Sequence, residues 1–281
     1  AKNYYKQDNR SFGQFIPVAT PDRAEVPDTP DVAKLVDGYK GRAKVAAGET
    51  FDATPANIDK RTEKFNLANG AKVALLSKKT RGETVSGRLN LHLGDETSLF
   101  GKVVASDIAA DMLMRGSSKF TRAELDTKLG ELKAKLSISG AGQNVAVSFE
   151  TVRANLPALL DIMRDVLRAP TFPQTEFELL VKENLSALES SRSAPQTAAS
   201  EAMQVKKNAP YKKGDIRYAA SIDDGIAEYS AIKLDAAKDF YKNFYGASAA
   251  EFTLVGGFDA PAVKAKLATI IGDWNSPAKF T

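Results

Sequence analysis

The 281-residue sequence has no cysteine, which excludes disulfides, thiolate metal sites and a thiol nucleophile together. It has one histidine, His92, so no pair of imidazoles can hold a metal, and a serine–histidine–acid system would have to use that single ring. Long apolar runs are also missing. The stretch from Val103 to Met114 is broken by Asp107 and Asp111, whereas a membrane-spanning helix needs about 20 predominantly apolar residues. Nor is charge of one sign concentrated: 39 basic and 35 acidic residues are interspersed, and the densest basic runs (Lys78, Lys79, Arg81; Lys206, Lys207; Lys212, Lys213) are short. A nucleic-acid binder gathers Lys and Arg on one face, so no nucleic-acid partner is expected. The sequence opens Ala-Lys-Asn-Tyr-Tyr, without an initiator Met or an apolar signal segment. Either its start is processed or, the preferred reading, it is a piece cut from a longer chain.

What is present is the composition of a globular protein, 43% hydrophobic and 26% charged, with enough chain to bury a large core. Residues 1–60 stand apart. They hold five of the twelve prolines (Pro17, Pro21, Pro27, Pro30, Pro55), and their nine basic and nine acidic residues cancel. Proline-punctuated sequence with little periodicity predicts an extended interdomain connector over 1–60, with one short helix from Asp31 to Tyr39. Phe12, Phe15, Ile16 and Phe51 are too apolar for a free linker and are expected to dock.

Residues 61–281 alternate strand and helix signals. Asn69-Gly70 between Lys64-Phe-Asn-Leu and Lys72-Val-Ala-Leu-Leu-Ser marks a hairpin, because Asn-Gly tolerates the positive φ of a tight turn. A strand follows from Thr84 to Leu93, then a helix from Gly101 to Met114 with Val104, Ile108, Ala109 and Met112 on one stripe. Thr121-Arg-Ala-Glu124 is a capping box. Ile138 and Val145, Val147, Phe149 flank Gly140-Ala-Gly142, a second hairpin. Asn155 is expected to cap the next helix, which ends at Pro170. A long helix from Pro173 to Arg192 resumes after Ala194-Pro195. Helices near Asp223 and Asp235, the strand Glu251-Phe-Thr-Leu-Val and a helix from Pro261 to Ile271 complete the domain. The expected class is α+β, an antiparallel sheet with helices packed on it.

Few residues are candidates for chemistry. His92 alternates with Leu89, Leu91 and Leu93, opposite the buried leucines, and reads as a bystander; a metal-independent hydrolase would have to use it. Asp107 and Asp111 lie one helical turn apart, and Asp126 and Glu131 share another helix. Such pairs can chelate a hard cation or exchange protons, yet no carbonyl-rich loop completes a cage. Gly256-Gly257-Phe-Asp259-Ala-Pro lacks the spacing of a phosphate-binding turn and fits a strand-to-helix turn with Asp259 as N-cap and Pro261 in the first turn.

Six phrases occur in a particular order: Phe65-Asn-Leu-Ala-Asn-Gly-Ala-Lys-Val-Ala-Leu-Leu, Asp111-Met-Leu-Met-Arg-Gly-Ser, Pro170-Thr-Phe-Pro with Glu176, Phe240-Tyr-Lys-Asn-Phe-Tyr-Gly-Ala, Thr253-Leu-Val-Gly-Gly-Phe-Asp, and Trp274. Over about residues 62–278 the sequence resembles a domain of the pitrilysin/insulinase family, zinc metalloendopeptidases with an inverted His-x-x-Glu-His motif. Asn9-Arg-Ser-Phe-Gly-Gln-Phe-Ile-Pro and Gly48-Glu-Thr-Phe-Asp resemble the connector between two halves of a long bacterial member. Anchored on Met112 and Gly116, the resemblance puts the two histidine positions at Asp107 and Asp111 and the catalytic glutamate at Ala110. The third ligand falls near Ala187, with Glu183 and Glu189 close by.

The resemblance therefore implies a non-catalytic repeat. No catalytic, metal or cofactor residue is expected in this segment; Asp107, Ala110 and Asp111 are the degenerate motif positions. Zinc is expected in the catalytic half of the parent protein, on the same chain or a partner subunit. This half would help form a closed chamber around a peptide or protein substrate. The alternative is a scaffold or peptide-binding module whose parent has no protease activity. The resemblance also implies export, in a bacterium to the periplasm.

Overall fold

The computed structural model describes residues 11–20, 29–41, 45, 47–207 and 210–281, and the chain divides into two units, residues 1–44 and 45–281. In the first unit, Asp31 Oδ1 accepts the amides of Ala33 and Lys34 at 3.1 and 3.4 Å. This caps α1 (Val32–Val36) where the sequence placed a short helix. Val32, Leu35 and Val36 are exposed, as are Phe12, Phe15 and Ile16.

The second unit begins with a segment tied down before its first helix, α2 (Pro55–Arg61). Arg61 pairs with Glu49, whose carboxylate also accepts the Lys79 amide at 3.2 Å. Phe51 lies half-buried with the Lys78 ammonium 4.2 Å from its ring centroid. Next come β1 (Thr62–Asn66) and β2 (Lys72–Ser77), paired antiparallel around Gly70, whose φ of +96° only glycine adopts without cost. β3 (Thr84–His92), α3 (Val103–Met112) and α4 (Arg122–Glu131) follow, and the Thr121–Glu124 capping box forms. The second hairpin is β4 (Lys135–Ala141) and β5 (Asn144–Val152).

Then come α5 (Leu156–Arg168), α6 (Gln174–Ser191), α7 (Pro195–Lys207), α8 (Ile222–Ala231), α9 (Leu234–Phe244), β6 (Glu251–Gly256) and α10 (Ala260–Leu267). A wider turn carries the last helix on to Gly272. Asn155 does not cap α5 with its side chain; its amide donates to the Leu132 carbonyl at 2.8 Å and ties α5 to the end of α4. Asp259 does cap α10, accepting the Ala262 amide at 2.8 Å.

The six strands form one sheet in the order β1-β2-β6-β3-β5-β4. It is mixed, where the sequence predicted an antiparallel one. β6 is antiparallel to β3, with Leu89 opposite Phe252, but parallel to β2, with Val73 opposite Phe252. The reason is the route: β6 arrives after the run of helices and not from a hairpin, so its direction is not set by the strand before it. Strict alternation buries Val85, Leu89 and Leu91 of β3, Val145, Val147 and Phe149 of β5, and Phe252 and Leu254 of β6 on one face. Each such side chain contributes roughly 1.5–3 kcal/mol by leaving water. Leu159, Leu160, Met163 and Val166 of α5 belong to the same core.

Candidate functional site

α3 is buried on nearly every side. Val104, Ile108, Ala109 and Met112 are at most 9% exposed, and so are Ala105 and Ala110. Only Val103, Asp107 and Asp111 remain half-exposed, and Arg115, one turn later, is half-exposed too. These positions recur every four residues and so make one open stripe along the helix. Asp107 and Asp111, the two histidine positions of the resemblance, are thus brought together. Ala110 is not on the stripe. It is 0% exposed and faces β4, where a Cβ on Gly140 would come within 2.7 Å of the Ala110 Cβ. Ser106 Oγ donates to the Gly142 carbonyl at 3.2 Å on the same side.

Burial and the nearby charge of Asp111 push the Asp107 carboxyl up to about 7. Asp111 is raised by its own burial, with the Arg115 guanidinium opposing. The charges of both aspartates reach the phenols of Tyr229 on α8 and Tyr245 after α9, which burial and those charges raise. Asp107 therefore keeps its proton up to near neutral pH beside Asp111. Such a pair can exchange a proton or attract one cationic group.

The third-ligand region is occupied by ion pairs. Arg115, one turn beyond Asp111, reaches Glu183 at 2.5 Å and Glu176 at 3.3 Å, and Arg122 joins Glu176 at 3.2 Å. Glu189 pairs with Arg192 at 3.2 Å. Ala187 offers no donor. The zinc that the resemblance implies for catalytic relatives does not fit this donor set, since a catalytic site needs about three protein ligands and an open position. Among the described residues no group of three or more His, Cys, Asp or Glu could hold a metal.

The other candidates are dispersed. His92 Nδ1 lies 2.7 Å from Asn144 Oδ1, its ring stacks on Phe280 with centroids 4.9 Å apart, and Nε2 is 4.0 Å from Glu251. Among the described residues no hydroxyl hydrogen-bonds to it. On α4, Glu131 is engaged by Lys128 at 2.7 Å. Arg115, Tyr229 and Tyr245 escaped the sequence reading. For Arg115 a signal existed, its place one turn after Asp111; for the tyrosines there was none, because only packing brings α8 and α9 to α3.

The model of the insulinase family, peptidase family M16, matches residues 105–212, from α3 to the loop after α7. That stretch is similar to an insulinase-family domain. No curated protein matches it. Among solved structures, a peptidase M16 inactive domain from Pseudomonas fluorescens aligns over 78% of this chain and 53% of that one, with 19% identity and a TM-score of 0.67. A protease from Helicobacter pylori aligns over 78% and 52%, with 13% identity and a TM-score of 0.63. The first half of the periplasmic protease PqqL from Escherichia coli aligns over 79% and 48%, with 12% identity and a TM-score of 0.63. At these identities the likeness is one of fold. The chain spans about half the length of these structures. Among the described residues no helix is long and apolar enough to cross a membrane.

Proposed function

We propose that this insulinase-family domain is non-catalytic and works opposite a zinc-bearing catalytic half, on the same chain or a partner subunit, to enclose a peptide or protein substrate. The observation that carries the reading is the open stripe of α3: carboxylates at 107 and 111, an alanine turned into the core at 110, and Glu183 held by Arg115. Enclosure by such an element positions the substrate and excludes water without supplying chemistry of its own. In this reading residues 1–60 are the connector and residues 61–281 the domain. Export to a bacterial periplasm is part of the same reading, supported by the periplasmic protease among the structural neighbours.

The purified chain should carry no stoichiometric zinc and cleave no peptide. Added to its catalytic half, it should raise peptidase activity. Zinc near one equivalent in the chain alone, with chelator-sensitive cleavage, overturns the proposal.

A further inference from the structure

At the start of α3 the open stripe runs into a cavity of about 500 Å³, within the range of ligand pockets. Its floor is apolar: Val104, Ala236, Phe240 and Phe244. Its mouth is held in shape by Gly101, whose amide donates to the Gly214 carbonyl at 2.7 Å. A Cβ on Gly214 would lie 2.9 Å from the Phe100 ring, and Phe100 itself is 49% exposed at this lip. The first turn of α3 also lines the cavity and has no side-chain cap. Its leading amides can therefore donate to a peptide carbonyl.

The surrounding charge is unequal. Asp215, Glu228 and Asp239 line the cavity against Lys102. Asp215 is taken by Arg217 at 2.8 Å and Glu228 lies 3.9 Å from Lys213, while Asp239 has no ion-pair partner among the described residues. Asp107 follows Val103 by one turn along the same stripe, roughly 6 Å of helix rise, and Asp111 lies one turn further. Among the described residues neither aspartate is in an ion pair. An apolar floor beside two unpaired carboxylates selects for a greasy side chain next to a positive one.

We propose that this cavity holds a Leu- or Phe-sized side chain of a cationic peptide, with an adjacent Lys or Arg reaching Asp107 and Asp111. The inference rests on the proposed peptide-enclosing role and names the class of peptide. The probes are the fluorescent hexapeptides Lys-Lys-Leu-Phe-Lys-Lys, Lys-Lys-Gly-Gly-Lys-Lys and Glu-Glu-Leu-Phe-Glu-Glu, followed by anisotropy with the 281-residue chain. The first should bind at least tenfold tighter than either of the others. Ala236→Trp, which fills the cavity from the surface of α9, should abolish that preference for Leu-Phe. Asp107→Asn/Asp111→Asn should remove the preference for Lys over Glu and flatten the salt dependence, with melting temperature recorded for each variant.

Equal binding of all three peptides overturns the inference, and so does Ala236→Trp binding like the parent while folded. If Ala236→Trp does not fold, Ala236→Leu serves, with a smaller loss expected and none refuting the cavity. Neither refutation touches the proposed non-catalytic role, which falls only on zinc and cleavage by the chain alone.

Discussion

Asp107 offers a direct measure of whether the open stripe of α3 is as dry as its packing implies. Burial, reinforced by the charge of Asp111, lifts its carboxyl from an ordinary 3.8 to about 7. Between those two values the folded chain keeps a proton that the unfolded chain has released. Stability is therefore full below the lower value and is lost as pH rises through the upper one. At about 1.4 kcal/mol per pH unit the ceiling of the penalty is ~4 kcal/mol. Asp107 keeps part of its surface in water, so about half of that ceiling, ~2 kcal/mol, is expected after screening.

Asp107→Asn keeps the shape and removes the titration. At pH 8 the variant should be more stable than the parent by about 2 kcal/mol, and at pH 4 the two should coincide. Urea unfolding followed through the single tryptophan, Trp274, gives both numbers across the range. Subtracting the curves cancels opposing contributions such as Asp215 and Asp224, whose partners hold them near 2. A difference that stays constant from pH 4 to pH 8 refutes the reasoning, as does a carboxyl midpoint for Asp107 within the usual range by carbon NMR.

Two other substitutions test the walls of the site. Gly140→Ala places a methyl 2.7 Å from the Ala110 Cβ and should cost about 1–3 kcal/mol in urea unfolding, as overpacking does; Ala110→Gly in the same chain should recover part of it. Arg115→Ala strips the partner from Glu183, an ion pair whose arginine side chain is 11% exposed. It should cost about 1 kcal/mol or less, since Glu183 is 46% exposed and water takes over most of what the guanidinium supplied, and the loss should shrink on adding Glu183→Gln.

The sequence carried the elements far better than their arrangement. Asn69-Gly70, the Thr121–Glu124 box and the Asp259 cap are local chemistry, satisfied within a few residues, and each was legible. The parallel neighbourhood of β2 and β6 was not, because Val73 and Phe252 are 179 residues apart and nothing near either strand encodes the pairing. Asn155 misled for a related reason: its type suits an N-cap, but the Leu132 carbonyl competes for its side chain. At the site, the spacing of Asp107 and Asp111 fixed their common face. Their raised carboxyls could not be read, since the main cause is burial, which exists only once α3 is packed among elements distant in sequence.

The distribution of these features bears on whether catalysis could be restored by three substitutions. Asp107→His, Ala110→Glu and Asp111→His would rewrite the inverted motif in full. Positions 107 and 111 would accept imidazoles, because their stripe is half-open. Position 110 would not accept a working base: Ala110 is 0% exposed against Gly140, so a glutamate there is either buried unpaired, at a cost of several kcal/mol, or forces α3 off β4. A third ligand would still be missing, with Ala187 inert and Glu183 held at 2.5 Å by Arg115. The triple variant should therefore unfold at lower urea than the parent, bind less than stoichiometric zinc by mass spectrometry and cleave nothing, while Asp107→His/Asp111→His should fold normally and bind zinc only weakly. One equivalent of zinc in a triple variant of undiminished stability would mean that the barrier lies in three side chains alone, and not in the joint packing of α3, β4 and α6.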